Sequence, residues 1–316
     1  MFTRRKALSS GALIAGAALG RIPMLAKASQ PATPVNFSVP AHACDCHTHI
    51  FGDPRKFPLF AGRSYTPETA LPDEMAALHR ALRIGRVVIV TPSVYGTDNA
   101  ATIHGLAAAR RGSARGIAVI DSRTSDRNLN AMEKAGVRGI RLNLATSGIH
   151  DPEEARRRFE LAAARMKPRG WHIQIYSTPP VISALKNMVL ASPVPVVFDH
   201  FGGARAAGGV EQAGFADLLD LVRSGNAYVK ISGAYRASDR GPDYPDVAPL
   251  AQALISANPA RILWGTDWPH PNTSPGGPPS LPIDDGRLLN QLPVWAPSAE
   301  VRKQILVDNP ERLYGF

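Results

Sequence analysis

The chain has 316 residues, 44% of them hydrophobic and 20% charged, which excludes a disordered tail protein, a collagen-like repeat and a disulfide-stapled mini-domain. Its length suits two ordinary domains, or one α/β barrel of roughly 250 residues with extras. The formal net charge is +10, but half of it sits on Arg4, Arg5, Lys6, Arg21 and Lys27, so a general nucleic-acid binder is not expected.

Residues 1–28 read as an address. The twin arginine Arg4-Arg5, a weakly apolar run at 11–19 and a small-x-small site at Ala26-Lys27-Ala28 predict a twin-arginine (Tat) signal peptide. The Tat export machinery is then a partner and the periplasm the destination. The apolar run is far shorter than the ~20 residues of a permanent span, so no stable membrane span is expected. Residues 29–42 read as a linker and 43–316 as one folded domain. Cys44 and Cys46 lie two apart on a predicted strand, where a disulfide between them is geometrically poor, and they are expected to be buried thiols.

From residue 43 onward, short β-rich runs alternate with helical segments. The strands are predicted at 43–51, 86–92, 115–120, 139–144, 172–177, 194–199, 227–232 and 261–265. Helices are predicted at 72–82, 99–110, 127–135, 153–168, 180–190, 213–224 and 246–257. In the fourth of these, Phe159, Ala162, Ala163 and Met166 fall on one face, and Asp151-Pro152-Glu153-Glu154 supplies a cap, an N1 proline and first-turn acids. Eight strands separated by crossover helices predict a (β/α)8 TIM barrel. The rival is an open doubly wound sheet, but its glycine fingerprint is missing after the early strands.

Chemistry in a barrel gathers at the C-terminal strand ends. Strand one ends in Asp45-Cys46-His47-Thr48-His49, with both histidines of the pair on the inward face. Strand two leads into Ser93, strand four carries Arg141 and Asn143, and strand five carries Gln174 and Tyr176. Strand six ends in Asp199-His200, strand seven bears Lys230 and Ser232 before Tyr235-Arg236, and strand eight ends in Gly265-Thr266-Asp267-Trp268-Pro269-His270. These residues outline a polar, cationic pocket. Lys230 lies deep in its strand, where a charge needs a partner. His42, His79, His104 and His150 have no partner pattern and are read as surface or loop residues.

The His-x-His pair, the histidine after strand six and the GTDWPH segment resemble the amidohydrolase superfamily. The stretches DCHTHIFGDPRKFPLF, RSYTPE, VVIVTPSVYGTDN, GVRGIRLNL, VVFDHFGG, VKISGAYR and LWGTDWPHP resemble its 2-pyrone-4,6-dicarboxylate lactonase branch over nearly all of 43–316. The resemblance implies a barrel hydrolase that opens a lactone bearing carboxylates without a metal. Asp267 would be the general base, and His47, His49 and His200 would polarise the carbonyl. Arg141 and Arg236 would hold substrate carboxylates, with Tyr65, Ser93 and Tyr176 as further hydrogen-bonding groups. No cofactor is expected. A zinc-dependent hydrolase or decarboxylase is the alternative, its ion held by His47, His49 and Asp267, and a sugar-acid lactone isomerase is another. Strands four and five offer Arg141, Asn143, Gln174 and Tyr176 where metal-using relatives add a ligand, and an arginine there opposes a divalent cation.

Overall fold

The computed structural model describes residues 28–274 and 277–316; the predicted signal peptide lies outside the described residues except for Ala28. Eight parallel strands follow the chain in order: β1 (Cys44–Thr48), β2 (Arg86–Val90), β3 (Ala114–Ala118), β4 (Val137–Asn143), β5 (His172–Tyr176), β6 (Val196–Phe198), β7 (Ala227–Ser232) and β8 (Ile262–Gly265). Strand β8 returns to β1 through two backbone bonds: Asp267 N–H donates to the His47 carbonyl at 2.8 Å and His49 N–H to the Trp268 carbonyl at 2.9 Å. The sheet is therefore a nearly closed barrel of the TIM type, as the alternation of elements predicts.

The connecting helices are α1 (Pro72–Leu82), α2 (Ala100–Ala108), α3 (Asp126–Lys134), α4 (Pro152–Met166), α5 (Pro179–Leu190), α6 (Phe215–Arg223), the short α7 (Ala234–Ala237) and α8 (Ala248–Ala257). Helix α4 starts where its cap was read: the Asp151 side chain accepts from Glu153 N–H, and Ala155, Phe159, Ala162, Ala163 and Met166 are buried. Four more helices follow, α9 (Asp285–Asn290), α10 (Leu292–Trp295), α11 (Ala299–Lys303) and α12 (Asn309–Tyr314). Helices α9 and α10 span six and four residues, too short to show helical periodicity, while α11 runs on through a π-helical segment, Gln304–Asp308, into α12; none of the four is among the elements predicted from the sequence. Among the described residues no helix is long and apolar enough to cross a membrane.

Residues 29–42 lie against the barrel. The Trp268 indole donates to the Ser29 carbonyl at 2.7 Å, Ser29 Oγ donates to the Ile283 carbonyl at 2.6 Å, and Val35, Phe37 and Val39 pack on the core.

One irregularity in β1 aims the chemistry. Asp45 pairs with Val87, but Thr48 pairs with Ile89, so β1 holds one residue more than β2 between these points. Such a bulge reverses the alternation of side chains. Cys44 and Cys46, both free thiols, join the buried cluster with Val88, Val90, Ile117, Val197 and Leu263, and His47 beyond the bulge is also turned inward. Thr48 faces outward, its hydroxyl bonded to the Val88 carbonyl and in contact with Met75 Sδ of α1.

Asp45 locks this seam. Its Oδ1 accepts from the N–H groups of His47 (3.1 Å) and Thr266 (3.0 Å), and its Oδ2 accepts from Thr266 Oγ1 at 2.6 Å. His79 Nε2 stands 3.2 Å from the same oxygen. The reading of His79 as a surface residue is thereby corrected: it is buried, and its partner lies 34 residues away, beyond the reach of local pattern.

His172 opens β5 at the N-terminal end of the barrel, its ring over Gly139 and edge-on to Tyr314 with centroids 5.2 Å apart. Burial pushes its pKa down to about 3 from the ordinary 6.5. The unfolded chain then takes up this proton at a higher pH than the folded one, and stability is lost as pH falls from about 6.5 toward 3. Between pH 7 and pH 5 the parent should lose about 2 kcal/mol more stability than a His172→Phe variant, measured by urea unfolding at each pH.

Candidate active site

Three imidazoles from two strand ends converge on one carboxylate oxygen at the end of a third strand. Asp267 Oδ1 lies 3.6 Å from His47 Nε2, 3.5 Å from His49 Nε2 and 3.8 Å from His200 Nε2. All four residues are buried, and both Asp267 Oδ1 and His47 Nε2 are without a hydrogen-bond partner among the described residues. A buried acceptor left open at the meeting point of three imidazoles marks a place for a bound molecule.

The backbone builds this convergence at some expense. Asp267 sits at φ 66, a left-handed conformation that costs a non-glycine residue on the order of 1–3 kcal/mol and is held by its bond to the His47 carbonyl. His200 and Phe201 turn the chain at φ 48 and 56 directly after β6. At Gly233, φ 61, a Cβ would stand 3.3 Å from both Asp267 Oδ2 and His200 Nδ1, so that close approach leaves little room for a side chain.

Each imidazole is oriented from behind. His49 Nδ1 lies 2.7 Å from the Val90 carbonyl, to which it must donate, so its Nε2 carries a lone pair in the neutral ring. His200 Nδ1 lies 2.9 Å from Ser232 Oγ, and burial pushes the His200 pKa down to about 4, keeping the ring neutral at ordinary pH. His47 Nδ1 faces Asp199 Oδ1 at 3.3 Å and Lys230 Nζ at 3.4 Å.

The far side of Asp267 is fully occupied. Tyr235 donates to Oδ2 at 2.6 Å, and Arg236 donates from Nε to the same oxygen. Burial alone would raise the Asp267 pKa; the Arg236 guanidinium, with His200, His49 and His47, outweighs it and holds the carboxyl well below the usual range. Asp199 repeats the pattern. Burial would raise its pKa, but His47, Arg141 and Lys230 hold it well below the usual range, with Arg141 Nε at 2.9 Å and Gln174 Nε2 at 3.0 Å on Oδ2.

The arginines expected at substrate carboxylates thus each spend Nε on a buried acid of the protein. The terminal nitrogens of Arg141 and Arg236 make no hydrogen bond among the described residues and remain available. The Arg141 guanidinium lies 5.1 Å over the Tyr176 ring, which meets His200 edge-on at 5.4 Å. Arg141 also lines a cavity of about 470 Å³ with Arg63, Ser93, Asn143 and Arg158. Tyr65 lies close to Ser93, and burial raises its hydroxyl pKa.

The residues singled out from the sequence therefore form one cluster and its rim. Sequence reasoning gave no role to Tyr235 and left Lys230 without a named partner; the order Tyr235-Arg236 after strand seven was the available signal. His270 is bonded to the buried Asp285 at 3.0 Å, and its ring meets Tyr235 edge-on at 5.3 Å, so it supports the cluster from outside.

The family model described as amidohydrolase matches residues 44–316. A 2-pyrone-4,6-dicarboxylate hydrolase of Comamonas testosteroni is 37% identical over 295 residues, covering 90% of this chain and 94% of the relative. A 4-sulfomuconolactone hydrolase of Rhizobium radiobacter is 36% identical over 287 residues, covering 89% and 93% respectively. Among solved structures, an apo protein of Agrobacterium tumefaciens superposes with a TM-score of 0.76 at 26% identity, covering 89% of this chain and 98% of that one.

Removing the Arg236 cation with Arg236→Met should let burial dominate at Asp267, whose carboxyl then titrates at higher pH than in the parent. Carbon-13 NMR of the labelled aspartate carboxyls reads the midpoint directly, and an unmoved midpoint would contradict this account of its charge.

Proposed function

The chain belongs to the amidohydrolase family, and we propose that it is a hydrolase that adds water across the ester bond of a lactone bearing carboxylate or similar anionic groups. The observation that carries this reading is the open Asp267 oxygen facing three imidazoles, beside two arginines with unused terminal nitrogens. Hydrolases of anionic lactones among its relatives support it.

Asp267 accepts a proton from water as the water oxygen bonds to the lactone carbonyl carbon. With its carboxyl held low, the base is ionised throughout the neutral range. His47 and His200 stabilise the oxyanion that forms on the carbonyl oxygen, each such donor being worth about 3 kcal/mol in a water-excluded site. His49 contributes a lone pair when neutral and a proton only as imidazolium. When the tetrahedral intermediate collapses, the acyl–oxygen bond breaks, and the departing ring oxygen takes the proton held by Asp267. The terminal nitrogens of Arg141 and Arg236 bind the substrate's anionic groups, with Tyr65, Ser93 and Tyr176 completing the wall.

The buried donors His47, His49 and Asp267 lie within 4.8 Å of one another and fit a divalent ion such as zinc in kind and number. Bound there, it would supply a Lewis acid or an activated water. Charge argues for the metal-independent route: Arg141, Lys230 and Arg236 already outnumber the carboxylates of Asp199 and Asp267. The reading is tested with 2-pyrone-4,6-dicarboxylate and 4-sulfomuconolactone, following loss of ring absorbance. Chelator-treated protein should turn over at least one of them, and Asp267→Asn should lower kcat by about 10²–10⁴-fold with KM little changed. Activity that vanishes on chelation and returns with Zn²⁺ would transfer the mechanism to the ion. An unaffected Asp267→Asn would remove Asp267 as the base.

We further propose that the Arg4-Arg5 segment directs export of the folded chain to the periplasm. Replacing both arginines with lysine should leave the protein in the cytoplasmic fraction; unchanged export would exclude the twin-arginine route.

A further inference from the structure

We propose that Lys230 is a positioning residue that fixes the tautomer of His47, so that His47 Nε2 carries the proton and donates toward the reacting carbonyl. The proposal rests on the hydrolase reading and deepens it.

Lys230 is fully buried on β7, and its ammonium has three hydrogens and no lone pair. One goes to Gln174 Oε1 at 2.6 Å. The Gln174 amide is itself turned by its other end, which donates to Asp199 Oδ2 at 3.0 Å, so its oxygen must face the lysine. A second hydrogen meets His47 Nδ1 at 3.4 Å, and Asp199 Oδ1 lies 3.5 Å away.

Two groups thus compete for His47 Nδ1, and they demand opposite tautomers. Asp199 Oδ1, at 3.3 Å, would accept from Nδ1–H and leave a lone pair on Nε2. Lys230 can only donate, which requires the lone pair on Nδ1 and places the proton on Nε2. Direction decides between them. The lysine contact has hydrogen-bond geometry, whereas Asp199 Oδ1 takes no hydrogen bond among the described residues despite its closeness.

The two histidines of the pair then present opposite faces to one spot. His49 gives its Nδ1 hydrogen to Val90 and offers a lone pair at Nε2. His47 offers a hydrogen at Nε2, 3.6 Å from Asp267 Oδ1. A water can donate one hydrogen to Asp267 Oδ1 and the other to His49 Nε2, with its own lone pair free for the carbonyl carbon, while His47 holds the carbonyl oxygen. The same arrangement works against a metal ion, because a protonated Nε2 is not a ligand atom. Without Lys230, His47 can turn its Nδ1 hydrogen to Asp199 and release the Nε2 lone pair toward His49 and Asp267, the carboxylate–histidine geometry typical of metal sites.

The test needs no substrate. In the full-length parent protein, nitrogen-15 NMR of the histidine rings should find the neutral His47 protonated at Nε2; protonation at Nδ1 overturns the proposal whatever any variant does. In Lys230→Met the proton should move to Nδ1, and affinity for Zn²⁺, measured by competition with a chromophoric chelator, should rise by roughly tenfold or more. A folded Lys230→Met with an unchanged His47 tautomer and unchanged zinc affinity also overturns it. Should the variant fail to fold, the parent spectrum alone decides. The kcat of the folded variant should fall by roughly tenfold or more while KM stays close to the parent's, and an unchanged kcat would contradict the stated role. Failure of the parent to open any lactone would count against the hydrolase reading and leave the ring assignment standing.

Discussion

The buried carboxylate of Asp45 holds the seam between the first and last strands, and the functional side chains on both strands take their places from it. One oxygen clamps the backbone of His47 and Thr266 together, while the other holds the Thr266 hydroxyl and faces His79 on α1. The bonds that complete the seam are made by His47, His49, Asp267 and Trp268 themselves. Barrel closure and the geometry of the site are therefore one constraint. A register error at β1 would misplace both histidines and their carboxylate together, which makes the site as rigid as the fold.

Charge is organised in two tiers beneath the mouth. Asp267 leans on Arg236 and Tyr235, and Asp199 leans on Arg141, Gln174 and Lys230. His47 stands between the tiers with one nitrogen toward each. Buried ions of this kind contribute little net stability, since desolvation offsets their attraction. They do keep both carboxylates ionised and every ring nitrogen near them oriented, which preorganises a site for developing negative charge. The arginines reconcile structure and recognition by dividing their guanidinium groups: Nε serves the protein's own acid, and the terminal nitrogens remain for a ligand.

Much of this is legible in the sequence alone. The strand–helix alternation specified the barrel because parallel strands require crossovers, and the strand ends then pointed to His47, His49, Arg141, His200 and Asp267 as neighbours. What stayed hidden has a common physical cause. The partnership of Lys230 with His47, 183 residues apart, depends on three-dimensional register rather than spacing. The bulge in β1 is equally silent in the sequence, although it reconciles inward thiols at 44 and 46 with an inward histidine at 47. His79 was misjudged because a helix histidine has no local sign that it reaches a carboxylate on the strand beneath.

The strained backbone at Asp267 follows from these constraints. A residue leaving β8 in extended conformation would carry its carboxylate along the strand direction, past the imidazoles. The left-handed turn at φ 66 redirects it across the mouth while its N–H still closes the barrel on His47. The conformational cost, on the order of 1–3 kcal/mol, is borne by the folded scaffold before any ligand arrives. Binding then need not supply it, and the open oxygen meets an incoming water already aimed. An asparagine in its place could share the turn, since Asn tolerates left-handed geometry, but it could not take the proton. The backbone requirement and the chemical requirement at this position are therefore separable, and only the second demands a carboxylate.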